Sequence, residues 1–214
     1  MTNNELVEFL KNQNKEGASF IDKVKIAYRP MVCPFKELLE LLPEKASVFD
    51  IGCGSGMFLS LVKEFRNPDQ LAGIEITSQL IENAKKVLDS KNTNTKLEVF
   101  DGKTIPDFVS DFDFIFMIDV FHHIPKTQQW VFLEQLFTKM NSGAKLVFKD
   151  IEGSHPLKYW NKIHDSLLAG EIGHEVSSKK VRQFVQAKTS LKIESFSSKR
   201  MLLYPHYTFV IEKQ

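Results

Sequence analysis

Short apolar runs that alternate with segments of helical spacing restrict this chain more than any other feature of its sequence. The runs are SVFDI (47–51), LAGIEI (71–76), KLEVF (96–100), FDFIFMI (112–118) and AKLVFKDI (144–151), each bounded by turn residues and each of strand length. Between them, Leu59, Val62 and Phe65 recur at helical intervals. So do Leu80, Ile81, Ala84 and Leu88, and Val131, Leu133, Leu136, Phe137 and Met140. Strands alternating with helices imply a largely parallel sheet covered on both faces.

Two regions stand outside that rhythm. Ahead of the first run, residues 3–14, 18–27 and 33–42 carry helical patterns, with YRPMVCP interrupting the last two through Pro30 and Pro34. After the fifth run, HPLKYWNKIHDSLLAG and SSKKVRQFVQAK read as two further helices, and residues 191–214 alternate like a closing hairpin. No repeat or linker divides the chain, so a single domain over residues 1–214 is expected. Within it, residues 1–45 form an N-terminal helical cap, 46–153 a ligand-binding half, 154–190 a helical insertion and 191–214 the hairpin.

The charge balance narrows the partners. With 28 basic and 27 acidic residues the net charge is +1, which leaves no excess to neutralise a run of phosphates, so nucleic acid is not expected as a partner. No stretch reaches the roughly 20 apolar residues of a membrane span. Cys33 and Cys53 form no metal-ligand pattern, and the first residues lack the apolar core of a signal peptide, so a cytoplasmic location is expected.

The stretch VFDIGCGSGMF spends three of the ten glycines, Gly52, Gly54 and Gly56, directly after the first strand. Missing side chains there let a ligand touch main-chain N–H groups beside the positive end of the following helix. The spacing is not the G-x-G-x-x-G of a dinucleotide site, and Asp50 ahead of the loop would repel a pyrophosphate. A carboxylate there favours a ligand that carries positive charge or an amino group. Glu75, about twenty residues further on at the end of the second strand, can accept from both hydroxyls of a ribose. Asp101 and Gly102, at the end of the third, stand where an adenine amino group could meet a carboxylate, although Asp-Gly is also a common turn pair.

These residues resemble the class I S-adenosylmethionine-dependent methyltransferases. VFDIGCGSG is similar to the family's first motif, GIEIT to its ribose-binding acid, and VFDG to its adenine segment. FDFIFMIDVFHHIP is similar to the fourth strand and its loop, and NSGAKLVFKDIEG to the fifth-strand segment. The resemblance implies a Rossmann-like three-layer α/β/α sandwich with a seven-stranded sheet in the order 3-2-1-4-5-7-6, strand 7 antiparallel. It implies S-adenosylmethionine as cofactor, with Asp50, Gly52, Cys53 and Gly54 around the methionyl part and Glu75 on the ribose. It further implies Ile76 against adenine, Asp101 and Gly102 at the adenine edge, and Asp119 at the exit of strand four. Cys53 reads as a small side chain in a backbone-contact position rather than as a nucleophile.

A sulfonium methyl is already activated, so aligning an acceptor lone pair can supply roughly 7–11 kcal/mol of the barrier, and a general base is optional. His122 and His123 follow strand four at the sheet's carboxyl end, and His164 lies in the insertion; these are the candidate bases, with Asp165 and His174 behind them. His122 and His123 read equally well as turn residues before Pro125, and His164 as a core histidine beside Leu157, Trp160 and Leu168. Tyr28 and Arg29 are candidates for meeting the cofactor carboxylate. The reading is methyl transfer to a small, partly apolar acceptor, with O-methylation one form of it. An N-P-P-Y-like motif is absent after strand four, which disfavours nucleobase amines and glutamine amides. Oxygen, carbon, carboxylate and other nitrogen acceptors stay open. The alternatives are a non-catalytic adenosyl-ligand-binding protein and an NAD-linked oxidoreductase.

Overall fold

Strand β1, Ser47–Ile51, is buried along its whole length, as a strand with neighbours on both sides and helices on both faces must be. In the computed structural model, residues 1–13, 29, 32–88, 94–155, 157 and 173–214 are described. Their elements run, in chain order, α1 (Asn3–Gln13), α2 (Phe35–Glu40), β1, α3 (Met57–Arg66), β2 (Gln70–Glu75), α4 (Ser78–Leu88) and β3 (Asn94–Val99). There follow a short 3-10 turn (Asp107–Asp111), β4 (Phe114–Ile118), a second one (Phe121–His123), α5 (Gln129–Lys139), β5 (Lys145–Ile151), α6 (Ser178–Gln186), β6 (Leu191–Met201) and β7 (Tyr204–Lys213). The described strands form a seven-stranded sheet in the order β3-β2-β1-β4-β5-β7-β6, as the resemblance implied. β1, β4 and β5 pair in parallel, as do β2 and β3, while β7 is antiparallel to β5 and to β6. This is the Rossmann-like methyltransferase fold.

The chain groups into two compact units, Met1–Ser47 with Cys53–Phe100, and Val48–Gly52 with Asp101–Gln214. In the first, α3 buries Phe58, Leu59, Leu61 and Val62, and α4 buries Ile81, Ala84 and Leu88. The two helices approach closely at Gly56, where an added Cβ would lie 3.1 Å from that of Ala84. α1 contributes Leu6 and Leu10, and Phe35 of α2 stacks on Phe58. β3 is an edge strand and leaves Val99 exposed.

The second unit is built on aromatic side chains. Phe49, Phe116, Phe121, Phe148, Tyr207 and Phe209 are each almost wholly buried, and burying a side chain of this size contributes about 1.5–3 kcal/mol. Edge-to-face contacts join Phe121 to Phe148 and Tyr207 to Phe209. α6 is amphipathic: Val181 and Val185 face inward, Phe184 stacks on Trp130, and the Arg182 guanidinium lies over the rings of Phe196 and Phe209.

Element boundaries shift from the expected ones for local reasons. β2 ends at Glu75 rather than at Ile76, because the Glu75 carboxylate turns back to accept the N–H of Thr77. β4 starts at Phe114 instead of 112, because the Phe112 N–H is taken by the carbonyl of Val109 in the preceding turn. The expected helix over 33–42 is confined to Phe35–Glu40, starting after Pro34. The helix expected over 18–27 and most of the one expected after residue 155 lie outside the described residues.

Candidate functional site

In the first unit, the loop between β1 and α3 is held from β2. The Cys53 N–H donates to the carbonyl of Ile74 at 3.1 Å, and Gly56 N–H closes a turn onto the Cys53 carbonyl at 2.9 Å. Cys53 is buried against Gly73, where a Cβ would come within 2.7 Å of its Sγ, so a small residue is needed at each position.

Gly54 behaves differently from its neighbours. Its φ is +55°, a left-handed conformation, and a Cβ built there would meet nothing within 4 Å. No packing demand therefore asks for a glycine here; the left-handed backbone does, and it leaves the space above Gly54 open to a ligand. Its N–H donates to Glu75 Oε2 at 3.2 Å, and Glu75 Oε1 accepts from Thr77 N–H at 3.0 Å. A carboxylate offers about four lone-pair positions, so Glu75 retains acceptor capacity for two hydroxyls after fixing the loop. Ile76, next along, is 64% exposed, an apolar face on a residue that would otherwise be expected inside. An open backbone cradle, an acid that can take a vicinal diol and an exposed apolar flank fit an adenosyl compound.

In the second unit, Asp50 is buried on β1 at 3% exposure. Gly52 has φ +74°, and a Cβ there would sit 2.4 Å from Val120 Cγ2, so this glycine is demanded by packing against the turn after β4. Asp101 caps its own turn: Oδ1 accepts from the N–H groups of Thr104 and Lys103, both at 2.7 Å, and these bonds lower its carboxyl below the ordinary value. The turn role read for Asp-Gly is thus occupied, with Gly102 at φ +77° completing it.

The turn after β4 is locked from β5 by two charged side chains that the sequence reading passed over. Asp119, at φ +56°, receives the buried Lys149 Nζ on both carboxylate oxygens at 2.6 Å, and its N–H donates to the Lys149 carbonyl at 2.9 Å. Asp150, 1% exposed, accepts from His122 N–H at 3.1 Å, from Ile151 N–H at 2.7 Å and from the His122 ring at Nδ1 at 2.5 Å. With Asp150 serving as acceptor throughout, the His122 ring donates to it from Nδ1. His122 is buried, while His123 is exposed with its ring centroid 4.2 Å from that of His122. Of the two adjacent histidines one therefore faces inward and the other solvent.

Further buried side chains beside this pair are hydrogen-bonded to main-chain carbonyls. Gln129, also buried, donates from Nε2 to the carbonyls of Phe121 at 3.0 Å and His174 at 2.8 Å, and the His174 N–H donates to the His122 carbonyl at 2.6 Å. The Tyr207 hydroxyl donates to the Val176 carbonyl at 3.1 Å. Burial, together with the carboxylates of Asp150, Glu152 and Asp119, pushes its pKa well above the ordinary value, so it stays a neutral donor. Arg29 is exposed, with its carbonyl accepting the Cys33 N–H at 2.8 Å. His164, Asp165 and Tyr28 lie outside the described residues.

The fold and these sites define the class: a profile described as methyltransferase domain matches residues 26–188, and the chain belongs to that family, the S-adenosylmethionine-dependent class I methyltransferases. Its cofactor is S-adenosylmethionine. The chain is similar to the carboxy-S-adenosyl-L-methionine synthase of Campylobacter curvus, 26% identical over 155 residues, covering 67% of this chain. It spans 65% of that synthase's length. In fold it is similar to the magnesium protoporphyrin IX methyltransferase of Synechocystis with bound S-adenosylhomocysteine, at TM-score 0.69 and 14% identity over 99% of this chain and 96% of that one. It is also similar to a SAM-dependent methyltransferase of Methanosarcina mazei, at TM-score 0.64 and 20% identity over 83% and 96%.

Proposed function

We propose that this chain, acting as a single domain, transfers a methyl group from S-adenosylmethionine to a small, partly apolar acceptor, O-methylation being the form it is built to assist. The observation that carries the reading is Gly54: a left-handed glycine with open space at its Cβ position, tied by its N–H to a carboxylate at the end of β2. S-adenosylmethionine supplies, when bound, a methyl group activated by the sulfonium charge.

The chain's own residues then have three tasks. Binding falls to Glu75, whose spare lone pairs accept the ribose hydroxyls, and to Gly54 and Cys53, whose main chain lines the loop. Asp50 favours the amino group, Ile76 lies against the adenine, and Asp101 and Gly102 border its edge. Orientation falls to the turn after β4, where the Lys149–Asp119 and Asp150–His122 contacts fix the backbone before an acceptor arrives. Proton removal falls to His123, the exposed histidine of that turn, with buried His122 as its positioning neighbour. The acceptor oxygen's lone pair forms the new bond to carbon while the carbon–sulfur bond breaks toward sulfur, and the hydroxyl proton passes to the imidazole. A base of this kind contributes about 10²–10⁴-fold. Arg29 is retained as a cofactor-carboxylate candidate and His164 as a second base.

The Campylobacter relative supports a second reading, since its name makes S-adenosylmethionine the substrate that carries the product group. Mass spectrometry after incubation with methyl-labelled S-adenosylmethionine and cell extract separates the readings. Methyl transfer yields S-adenosylhomocysteine and a labelled extract component in equal amount. A heavier adenosyl compound that keeps its label would establish the second reading, and tight binding with neither product would make the chain a non-catalytic adenosyl-binding protein.

A further inference from the structure

The second unit contains a cavity of about 440 Å³. Its size lies within the roughly 300–1,000 Å³ of small-molecule sites. The walls come from the start of α5, the turn after β5 and the approach to α6, including Trp130 and Val176 as apolar surface and Lys126, Lys180, His174 and Ser177 as polar surface.

The polar groups share a character. Among the described residues, neither Lys126 nor Lys180 has an ion-pair partner, unlike Lys36, Lys85, Lys139, Lys149 and Lys188. Ser177 occupies the N-cap of α6 without making a cap bond from its side chain. That task is taken by Glu152, whose carboxylate accepts from the Ser178 N–H at 3.2 Å and from Ser154 N–H and Oγ at 3.0 and 2.7 Å. The helix terminus is thus already satisfied by a carboxylate of the protein, and the Ser177 hydroxyl is left to the cavity. Among the described residues the lining carries, against two ammonium groups, one carboxylate, Glu175, which is itself engaged within the protein. Trp130, fixed by stacking on Phe184 at 4.9 Å and by Phe121, offers a rigid planar wall.

The cavity is also wired to the turn after β4. Gln129 in its lining bridges the carbonyls of Phe121 and His174, and His174, another lining residue, donates to the carbonyl of His122. We infer that this cavity holds the acceptor, and that the acceptor is an anion: a carboxylate or phosphate on a planar apolar body, with the anion between Lys126 and Lys180 and the body against Trp130. The inference rests on the methyl-transfer reading above.

Calorimetry on the full chain with benzoate, phenyl phosphate and benzyl alcohol, each with and without S-adenosylhomocysteine, tests it. One or both anions should bind at least about tenfold more tightly than the neutral alcohol, the comparison between them naming carboxylate or phosphate, since charge-assisted bonds are roughly twice as strong as neutral ones. Lys126→Met with Lys180→Met should lower anion affinity by about tenfold or more while leaving S-adenosylhomocysteine affinity unchanged, which also shows that the variant is folded. Equal binding of all three probes, or full anion affinity in the double variant, overturns the inference. In an extract incubation, label should enter the components retained by an anion exchanger. Label confined to the unretained components would reject the cavity's anion as the acceptor while leaving methyl transfer standing, whereas failure of S-adenosylhomocysteine to bind would reject the cofactor reading alone.

Discussion

Gly52 and Gly54 look equivalent on paper and should respond to alanine in opposite ways. Gly54→Ala places an L-residue at φ +55° with nothing within 4 Å of the new methyl, so its stability cost is the left-handed backbone alone, about 1–2 kcal/mol. Gly52→Ala carries the same backbone cost at φ +74° and also drives Cβ to 2.4 Å from Val120 Cγ2. Overpacking of that kind adds about 1–3 kcal/mol, for a total near 2–5 kcal/mol. Urea unfolding should rank the variants in that order. Adding Val120→Ala should return about 1–3 kcal/mol to the Gly52 variant beyond additivity, and nothing to the Gly54 variant. Ligand affinity should invert the ranking for its size of effect: Gly54→Ala puts a methyl into the space assigned to S-adenosylmethionine, and calorimetry with S-adenosylhomocysteine should show a loss of tenfold or more, about 1.4 kcal/mol. If Gly54→Ala binds as wild type, the cradle is misassigned. If the two alanines cost the same stability, the collision with Val120 is not what demands Gly52.

Three further outcomes are expected. Asp50→Ala should weaken S-adenosylhomocysteine binding far more than it lowers the urea midpoint, and unchanged affinity would remove this residue from the site. Asp150→Ala leaves three donors, two of them backbone N–H groups, without their buried acceptor and should cost about 3–5 kcal/mol in urea unfolding; a loss under about 1 kcal/mol would contradict the lock on the turn after β4. Glu152 is opposed by partial burial, but hydrogen bonds from Ser178 and Ser154 outweigh it and hold the carboxyl below its ordinary value. Its folded-state pKa is depressed, so its stabilisation is present above the unfolded carboxylate pKa and fades as pH falls through the lower folded one. Glu152→Gln should therefore lose about 1 kcal/mol near neutrality and progressively less below about pH 4, checked by unfolding across that range.

The alternation of strands and helices was readable because β1 and β4 at the sheet's centre are largely apolar; SVFDI and FDFIFMI contain only one acidic residue inside the strands they form, Asp50. The glycine loop and Glu75 were readable because their spacing has a physical purpose. What escaped was the pairing of charges across the sheet. KLVFKDI carries Lys149 and Asp150 inside an otherwise buried strand, a signal that was on view, since such residues are seldom buried unless partnered. Their partners, Asp119 and His122, lie about thirty residues away, and only the β4–β5 register brings them together. Spacing likewise could not reveal that Glu152 displaces Ser177 as the cap of α6, nor which of His122 and His123 turns inward.

Adjacent residues on a strand project to opposite sides, so Lys149 and Asp150 grip the same short turn from above and below the sheet. Were β5 to slip one step in one direction, the ammonium would arrive where the imidazole's acceptor belongs, and one step in the other the carboxylate would confront Asp119. Either misalignment is thereby penalised, and the correct alignment is proofread by charge before any substrate is met.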